Sequence, residues 1–251
     1  MTVHVDGLAI DWLGYATVRI EGPDTVVYVD PGRYGVLTGE WTADSDAAAD
    51  AHPPARDYRP EDGDIVFVTH RHHYDPDGIK RVASDEATVV TFDGINVHRT
   101  DRTDTRPADL PYTVRSVGLE DQGLLDDVAF WTIAAYNHAD GPHTRPDGSP
   151  IHPKGMGCGY LLAVDGTRVF LPGDTDVLEG HAELDVDVFL PPIGGTYTMD
   201  REDAADLAVE LSPELVVPTH YNTFGAIETD SAAFEQSLAD DGVAIELDEA
   251  E

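Results

Sequence analysis

Hydrophobic and polar residues alternate in short runs through the first thirty positions, a pattern typical of β-strands. The runs cover 8–14, 15–22 and 26–31, and they are separated at Gly14 and at Gly22-Pro23. Glycine and proline favour turns. The start of the chain therefore predicts three short strands joined by two turns.

Further apolar, β-branched runs follow, and two segments between them have helical spacing. We predict helices at 76–83, which has acidic residues near its start, and at 200–211, whose apolar residues share one face. Strands are predicted at 65–68, 88–91, 112–117, 128–135, 159–164, 168–171, 186–190 and 215–218. Strands throughout the chain with helices between them imply a mixed-sheet α/β or α+β protein.

The segment 38–62 is polar and rich in alanine, aspartate and proline. We predict that it forms a surface excursion, either with a short helix or disordered. No repeat with a period of 20–50 residues and no sharp linker divides the sequence. We therefore expect a single domain over residues 1–251.

Composition narrows the class of protein. Hydrophobic residues make up 41% of the chain, enough for a core, but no stretch approaches the roughly 20 apolar residues of a membrane helix. The first residues carry neither a basic patch nor an apolar run, so no signal peptide is predicted. Cys158 is the single cysteine, which excludes an intramolecular disulfide. These features favour a cytoplasmic protein that does not enter a membrane.

The charge balance is extreme, with 49 acidic residues against 15 lysines and arginines and a formal net charge of −34. Self-repulsion of this size destabilises a compact chain. Molar salt shortens the Debye length to about 3 Å and screens that repulsion. We interpret the acidity as adaptation to a salt-filled cytoplasm. The sequence shows no basic stripe, so we expect no nucleic-acid partner.

Several predicted strands end in a residue that can bind a metal. Asp30 follows the third strand, and His70 and His72 follow the run 65–68. Asp174 and His220 come directly after two later strands. Loops at strand ends are where a rigid scaffold presents functional side chains. The pattern therefore predicts a metal site at one edge of the sheets.

The segment 70–77 holds three histidines and two aspartates, a density that a solvent-exposed polar loop does not explain. In an extended loop His70 and His72 point the same way, so both imidazoles can reach one ion. Imidazole favours zinc and other late first-row metals, and carboxylates can complete or bridge the ligand shell. We expect one or two divalent transition metals, with zinc first and manganese or iron as alternatives.

These segments resemble the metallo-β-lactamase-fold superfamily, and within it the branch of ascorbate-phosphate lactonase-like and poorly characterised hydrolases. The resemblance extends over nearly the whole chain and is carried by 12–16, 28–31, 68–72, 152–160, 172–176, 190–200 and 217–221. It implies a four-layer αββα sandwich of two mixed sheets, with the metals at one rim.

The resemblance also implies a ligand set. His70 and His72 match the first two histidines of the family motif H-x-H-x-D-H, and the third ligand of that site comes from a later loop. His152 is assigned this role, with His138 and His143 as rivals in the same loop. Asp174 matches the carboxylate that bridges two metals, and His220 matches the last ligand of the second site. The assigned metal ligands are His70, His72, Asp75, His152, Asp174 and His220.

The chain departs from the motif at two positions, with Tyr74 where the family has aspartate and Asp75 where it has histidine. Asp75 can replace the missing imidazole with an oxygen, or a one-residue shift can make it the aspartate of the family. His73 can also serve as a ligand, although a neighbouring residue usually points away. An oxygen ligand would shift the second site toward manganese or iron. A single metal is then the alternative to two.

Catalytic roles are assigned to Asp174, Asp75 and Lys154. Lys154 is one of only two lysines, and we predict that it binds a substrate anion or an oxyanion; the alternative is a solvated loop lysine. Tyr197 is predicted to form part of the substrate pocket. Asp30 is predicted either to orient a histidine or simply to end its strand.

The resulting hypothesis is a metal-dependent hydrolase that uses metal-activated water on a small ester, lactone or phosphoester-type substrate. A degenerate member that binds a metal or ligand without turnover is the alternative, supported only by Tyr74 and Asp75. Nuclease activity is disfavoured, because the sequence shows neither a basic groove nor the extra domain that nucleases of this superfamily carry. The expected partner is a small-molecule substrate, and a homo-oligomer remains open.

Overall fold

A computed structural model describes residues 2–51, 57–100 and 102–249, which form two β-sheets. The first sheet consists of Val3–Val5 (β1), Leu8–Trp12 (β2), Val18–Glu21 (β3), Val26–Val29 (β4), Gly63–Val68 (β5), Ala83–Phe92 (β6) and Thr113–Val117 (β7), paired in chain order. The second consists of Gln122–Leu125 (β8), Val128–Ala135 (β9), Gly157–Val164 (β10), Thr167–Leu171 (β11), Val188–Phe189 (β12) and Leu215–Val216 (β13), also paired in chain order.

The two sheets pack face to face because their strands present apolar residues to each other. Strand β5 shows how this arises, since successive side chains of a strand point to opposite faces. Ile65 and Phe67 belong to the main core, whereas Val66 and Val68 belong to a second apolar cluster. The ring centroid of Phe67 lies 5.4 Å from that of Phe130 and 4.8 Å from that of Tyr160, both in the opposite sheet.

Helices cover the outer faces of this sandwich. They are Asp46–Ala51 (α1), Pro76–Val82 (α2), Arg201–Leu211 (α3) and Ser231–Asp241 (α4). Helix α2 joins the second apolar cluster through Ile79 and Val82. Helices α3 and α4 add Leu207 and Phe234 to the core beside Phe189 of β12. The predicted four-layer αββα sandwich of mixed sheets is confirmed.

The direction of the strands decides where the chemistry lies. Strands β4 and β5 are parallel, and so are β11, β12 and β13. Parallel neighbours end at the same edge of a sheet. The residues that follow these strands therefore gather along one rim of each sheet, and the two rims meet in the sandwich.

The predicted excursion at 38–62 includes a short helix, α1, and residues 52–56 within it lie outside the described residues. Two contacts hold the described part against the loop after β13. The Trp41 indole donates to the carbonyl of Thr223 at 3.0 Å, and the Asp44 carboxylate accepts from the N–H of Gly225 at 2.9 Å. Among the helices described, none is long and apolar enough to cross a membrane.

Helix α2 begins tightly against the loop after β4, and this packing yields a stability prediction. A Cβ at Gly78 would overlap the carbonyl oxygen of Pro31 and the Cα of Gly32. We expect Gly78→Ala to lower the free energy of unfolding by about 1–3 kcal/mol through overpacking. This reverses the gain of roughly 0.5–1 kcal/mol that alanine normally brings to a helix. Urea unfolding measures the change.

Gly180→Ala is the matched control. Gly180 has helical backbone angles, φ −78° and ψ −9°, and a Cβ there meets no described heavy atom within 4 Å. We expect a change of at most about 0.5 kcal/mol for an open surface position. Equal stability of the two variants would contradict the close packing of α2.

Candidate metal centre

Four loops bring the predicted histidines and aspartates together at the rim. His70 follows β5, Asp174 follows β11 and His220 follows β13. His152 comes from the long loop between β9 and β10, and an isolated bridge between His70 and Gly157 holds the end of that loop beside β5. A Cβ at Gly157 would lie 2.6 Å from the Cβ of His70, so glycine permits this approach.

The loop after β5 is a turn rather than an extended segment. The N–H of His73 donates to the carbonyl of His70 at 3.2 Å, and such a turn brings its first and fourth residues close together. The ring centroids of His70 and His73 are 4.4 Å apart. The expectation that His73 points away rested on an extended loop, and the turn reverses it.

Two groups of possible metal donors result. One consists of His70, His72, His152 and Asp174, and the other of His73, Asp174 and His220. Asp174 belongs to both and divides its oxygens between them. Its Oδ2 lies 3.5 Å from His70 Nε2 and 3.3 Å from His152 Nε2. Its Oδ1 lies 3.4 Å from both His73 Nε2 and His220 Nε2.

These distances fit metal coordination better than hydrogen bonding. Two donors that are each about 2.1 Å from one tetrahedral ion lie about 3.4 Å apart. Within the described structure, the buried Nε2 atoms of His70, His73 and His220 have no hydrogen-bond partner. Buried polar atoms rarely lack one. A divalent ion in each group would satisfy these atoms, so the donor set fits the metals that the sequence predicts.

Hydrogen bonds on the far side of the rings select the tautomers that metal binding needs. Asp30 Oδ2 lies 2.8 Å from His73 Nδ1 and accepts 2.7 Å from the Thr69 hydroxyl. Because that hydroxyl donates its one hydrogen to Asp30, it must accept the hydrogen bond from His70 Nδ1, which lies 3.0 Å away. Both rings therefore carry the proton on Nδ1 and keep the Nε2 lone pair for a metal. Asp30 thus has the orienting position anticipated for it.

His152 is fixed in the same way. Its Nδ1 lies 3.1 Å from Asn137 Oδ1 and 3.2 Å from the carbonyl of Tyr197, both of which are acceptors. Its Nε2 is left free to bind, 3.1 Å from Nδ1 of His72. The first group therefore presents Nε2 from His70 and His152 and Nδ1 from His72.

Burial keeps most of these rings neutral. It lowers the pKa of His72 to about 2 and those of His152 and His220 to about 4, and it also lowers the pKa of His70. Burial opposes charge on His73 as well, but Asp174 and Asp30 outweigh it and raise its pKa. Burial likewise opposes ionisation of Asp174, yet the surrounding histidines hold its pKa well below the usual value.

Asp75, assigned as a metal ligand and a catalytic residue, lies in neither group. Its Oδ1 accepts from the N–H groups of Asp77 and Gly78 and caps α2, and its Oδ2 accepts from the N–H of Arg33 at 2.8 Å. Both oxygens are thus used by backbone donors. The structure puts the imidazole of His73 where the sequence assigned this carboxylate.

The two rival histidines also lie apart from the donor groups. His138 Nε2 lies 2.9 Å from the carbonyl of Val177. His143 Nδ1 lies 2.6 Å from Asp176 Oδ1, and its Nε2 lies 2.7 Å from the carbonyl of Gly195. Of the three loop histidines, the structure brings only His152 to Asp174.

A family model described as the beta-lactamase superfamily domain matches residues 9–220. The chain belongs to the beta-lactamase superfamily. A UPF0173 metal-dependent hydrolase from Archaeoglobus fulgidus is 28% identical, covering 96% of this chain and 94% of that protein. Another from Pyrococcus horikoshii is 30% identical, covering 92% of each. The predicted superfamily is confirmed, and the narrower lactonase-like branch stays a prediction.

The fold is shared with solved structures. The structure of a metallo hydrolase from Ignicoccus hospitalis superposes with a TM-score of 0.65 and 23% identity, covering 96% of this chain and 94% of that one. At this level of identity the likeness concerns the fold of the superfamily domain.

The first donor group opens into a cavity of about 180 Å³ through His72, His152 and Asp174. Its lining residues are Tyr15, Arg33, Tyr34, His72, Ile151, His152, Asp174 and Tyr197. Tyr197 therefore lies where a pocket residue was predicted. Lys154 does not line this cavity. It is exposed, with Nζ 5.7 Å from the ring centroid of Tyr136, and it lines a neighbouring cavity instead.

Tyr15 and Arg33 also line the cavity at the first donor group, and no role was predicted for either. The ring centroid of Tyr15 lies 4.5 Å from that of His220 and 5.0 Å from that of His73. Burial and the charge of Asp174 raise the pKa of Tyr15 well above its usual value. Arg33 Nη1 donates to the Tyr15 hydroxyl at 3.4 Å. The signals for Tyr15 were the neighbouring Gly14, which marked a turn, and the segment 12–16, which contributes to the family resemblance.

His143 forms an ion pair with Asp176 close to the metal donors, and the pH dependence of its contribution to stability can be tested. Its two partners, Asp176 and the carbonyl of Gly195, are both acceptors, so both ring nitrogens must donate. The hydrogen bond with Asp176 raises the pKa of His143 despite burial. The stabilisation is fully present below the ordinary histidine pKa and is lost as pH rises through the raised value. We therefore expect His143→Gln to reduce the free energy of unfolding more at pH 6 than at pH 9.

Denaturant unfolding of wild type and variant at the two pH values measures this difference. His98→Gln is the control, because His98 is exposed on a surface turn. A penalty for His143→Gln that is the same at pH 6 and pH 9 would contradict a charged His143.

Proposed function

We propose that this protein hydrolyses a small ester, lactone or phosphoester-type substrate with one or two divalent metals as cofactor. The observation that carries the proposal is the buried Asp174 carboxylate, which offers one oxygen to each of two imidazole groups beside an open cavity. The proteins that resemble this chain over nearly their full length are named metal-dependent hydrolases. The protein is accordingly a metallo-hydrolase in class.

A bound divalent ion lowers the pKa of water to about 7 and polarises a carbonyl or phosphoryl oxygen. The residues of the chain supply the rest. Asp174 stays ionised at neutral pH because of its histidine neighbours. Tyr15 keeps its proton at neutral pH. Its hydroxyl can therefore donate a hydrogen bond to an oxygen on which negative charge develops in the cavity. Arg33 adds a positive charge beside the same hydroxyl.

Zinc is our first choice of metal. The donor groups are rich in imidazole, with three histidines in the first and two in the second, and imidazole with one carboxylate is a common zinc ligand set. The argument for manganese or iron depended on Asp75 as an oxygen ligand, and Asp75 caps α2 instead. Two metals are favoured over one because His73 completes a second group.

The alternative of binding without turnover loses its support for the same reason. It rested on Tyr74 and Asp75 in the place of motif residues. Tyr74 is buried, and its hydroxyl donates to the carbonyl of Thr105 at 3.1 Å. His73 meanwhile provides an imidazole at the second group. These contacts favour an intact site over a degenerate one.

We also propose that the protein works in the cytoplasm of an organism with high internal salt. The net charge of −34 supports this, because such a surface needs screening to stay compact. Whether the chain forms a homo-oligomer is a separate question that sedimentation in high salt answers.

Hydrolysis by zinc-loaded protein in high salt tests the proposal. Lactones, carboxylic esters, thioesters and phosphodiesters form the substrate panel. We expect at least one class to be hydrolysed and the activity to disappear with a chelator. Asp174→Asn removes the one carboxylate that the two donor groups contain and share. We expect it to lower kcat/KM by at least about 100-fold, since even outer ligand partners are worth 10–100-fold.

Asp230→Asn is the matched control. Asp230 caps α4 by accepting from the N–H of Ala233, and asparagine caps a helix equally well. We expect this variant to retain wild-type kcat/KM. Metal-loaded, folded protein that leaves every substrate class intact would contradict the proposal.

A further inference from the structure

Positive charge is distributed unevenly in this acidic protein. Five arginines, Arg19, Arg81, Arg106, Arg168 and Arg201, form salt bridges with carboxylates. Nine other lysines and arginines in the described ranges have no carboxylate within 4.0 Å. With 49 acidic residues available, a basic side chain without an acidic partner needs an explanation.

Six of these nine lie around the loops that carry the metal donors. Arg33 and Arg102 both donate to the carbonyl of His72, at 2.7 Å and 3.0 Å. The other four, Arg71, Arg99, Arg145 and Lys154, form a second set, which we refer to as the basic cluster. Burial lowers the pKa of Arg71, and the like charges of Arg145 and Arg99 lower it further.

Three members of the basic cluster, Arg71, Arg99 and Lys154, line a cavity of about 290 Å³ that has no acidic residue in its lining. Its lining residues are Arg71, Gly94, Asn96, Arg99, Pro153, Lys154, Gly155 and Met156. Asn96 uses its Oδ1 to accept from the N–H of His98, which leaves its amide N–H groups to donate. Arg145 stands nearby, held by the carbonyls of Pro150 and Ile151. Every charged group at this cavity is thus a donor.

This cavity adjoins the one over the metal donors. At two places in the chain, consecutive residues line the two cavities. Arg71 lines the basic cavity and His72 the metal-site cavity, and His152 lines the metal-site cavity and Pro153 the basic one. Arg71 lies between two metal donors in sequence, and Lys154 lies two residues after a third. Two residues of chain span at most about 7 Å.

We propose that the basic cluster binds the anionic group of the substrate, a carboxylate or a phosphate, while the bond to be cleaved lies at the metal donors. This inference rests on the proposed function for the identity of the bound molecule. Guanidinium groups bind both anions through paired, charge-assisted hydrogen bonds. The cluster therefore assigns the enzyme to anionic rather than neutral substrates, and it gives Lys154 an anchoring role outside the reaction centre.

Anion binding can be measured independently of turnover. Chelator-treated, folded protein is titrated calorimetrically with inorganic phosphate and, in parallel, with acetate at one fixed salt concentration. We expect saturable binding of at least one anion, weakened at least 10-fold in Arg99→Gln and in Lys154→Gln, since a hydrogen bond to a charged group contributes about one decade or more. Tighter binding of phosphate identifies phosphate-bearing substrates, and tighter binding of acetate identifies carboxylate-bearing ones.

Arg115→Gln is the matched control, because Arg115 also lacks an acidic partner among the described residues but stacks 4.8 Å over Phe130 on the sheet. We expect it to bind the anion as wild type does. Three outcomes overturn the proposal: wild type binds neither anion, the two cluster variants bind as wild type does, or a short oligonucleotide binds the cluster more tightly than either small anion.

Kinetics then separates this proposal from the hydrolase assignment. For matched anionic and neutral substrates of one ester or lactone class, we expect Arg99→Gln to raise KM at least 10-fold for the anionic one only. An equal effect on both substrates would overturn the anchoring role. Anion binding with no hydrolysis of any substrate would instead overturn the proposed function and leave the site in place.

Discussion

The burial of the Asp174 carboxylate is the constraint on which the rest of the site depends. A charge removed from water is strongly destabilising unless it is paired. Four imidazole nitrogens lie 3.3–3.5 Å from its oxygens, too far for good hydrogen bonds and well spaced for shared metals. The arrangement is electrostatically complete only with positive charge between these atoms. The fold holds them there through strands that end at one rim.

The supporting contacts explain why the rim is rigid. Asp30 fixes Thr69 and His73, and Asn137 fixes His152. Asp176 joins the loop that carries Asn137 to the loop that carries Asp174. His73 and His152 are therefore oriented by polar groups on other segments of the chain, and His70 by the neighbouring Thr69, whereas neither ring nitrogen of His220 has a hydrogen-bond partner in the described structure. Such outer contacts decide which ring nitrogen faces the metal and how strongly it binds.

Much of this was predictable from the sequence, because strands and helices have distinct periods and metal donors cluster at strand ends. The sandwich, and the placement of His70, His72, His152, Asp174 and His220 at one rim, agree with that pattern. From the sequence His73 was only an alternative ligand, since its position depends on a turn from His70 whose geometry the residue types do not specify. Asp75 shows a related ambiguity: an aspartate before a proline caps a helix as readily as it binds a metal, and in the structure it caps α2. The basic cluster is formed by residues distant in sequence, so no local pattern reveals it.

If Asp174 joins two metals, anomalous diffraction from zinc-soaked crystals at the zinc absorption edge will locate both of them. We expect two peaks, one beside His70, His72 and His152 and one beside His73 and His220, with one Asp174 oxygen at each. A single peak, a peak coordinated by Asp75, or zinc bound without Asp174 would contradict this arrangement.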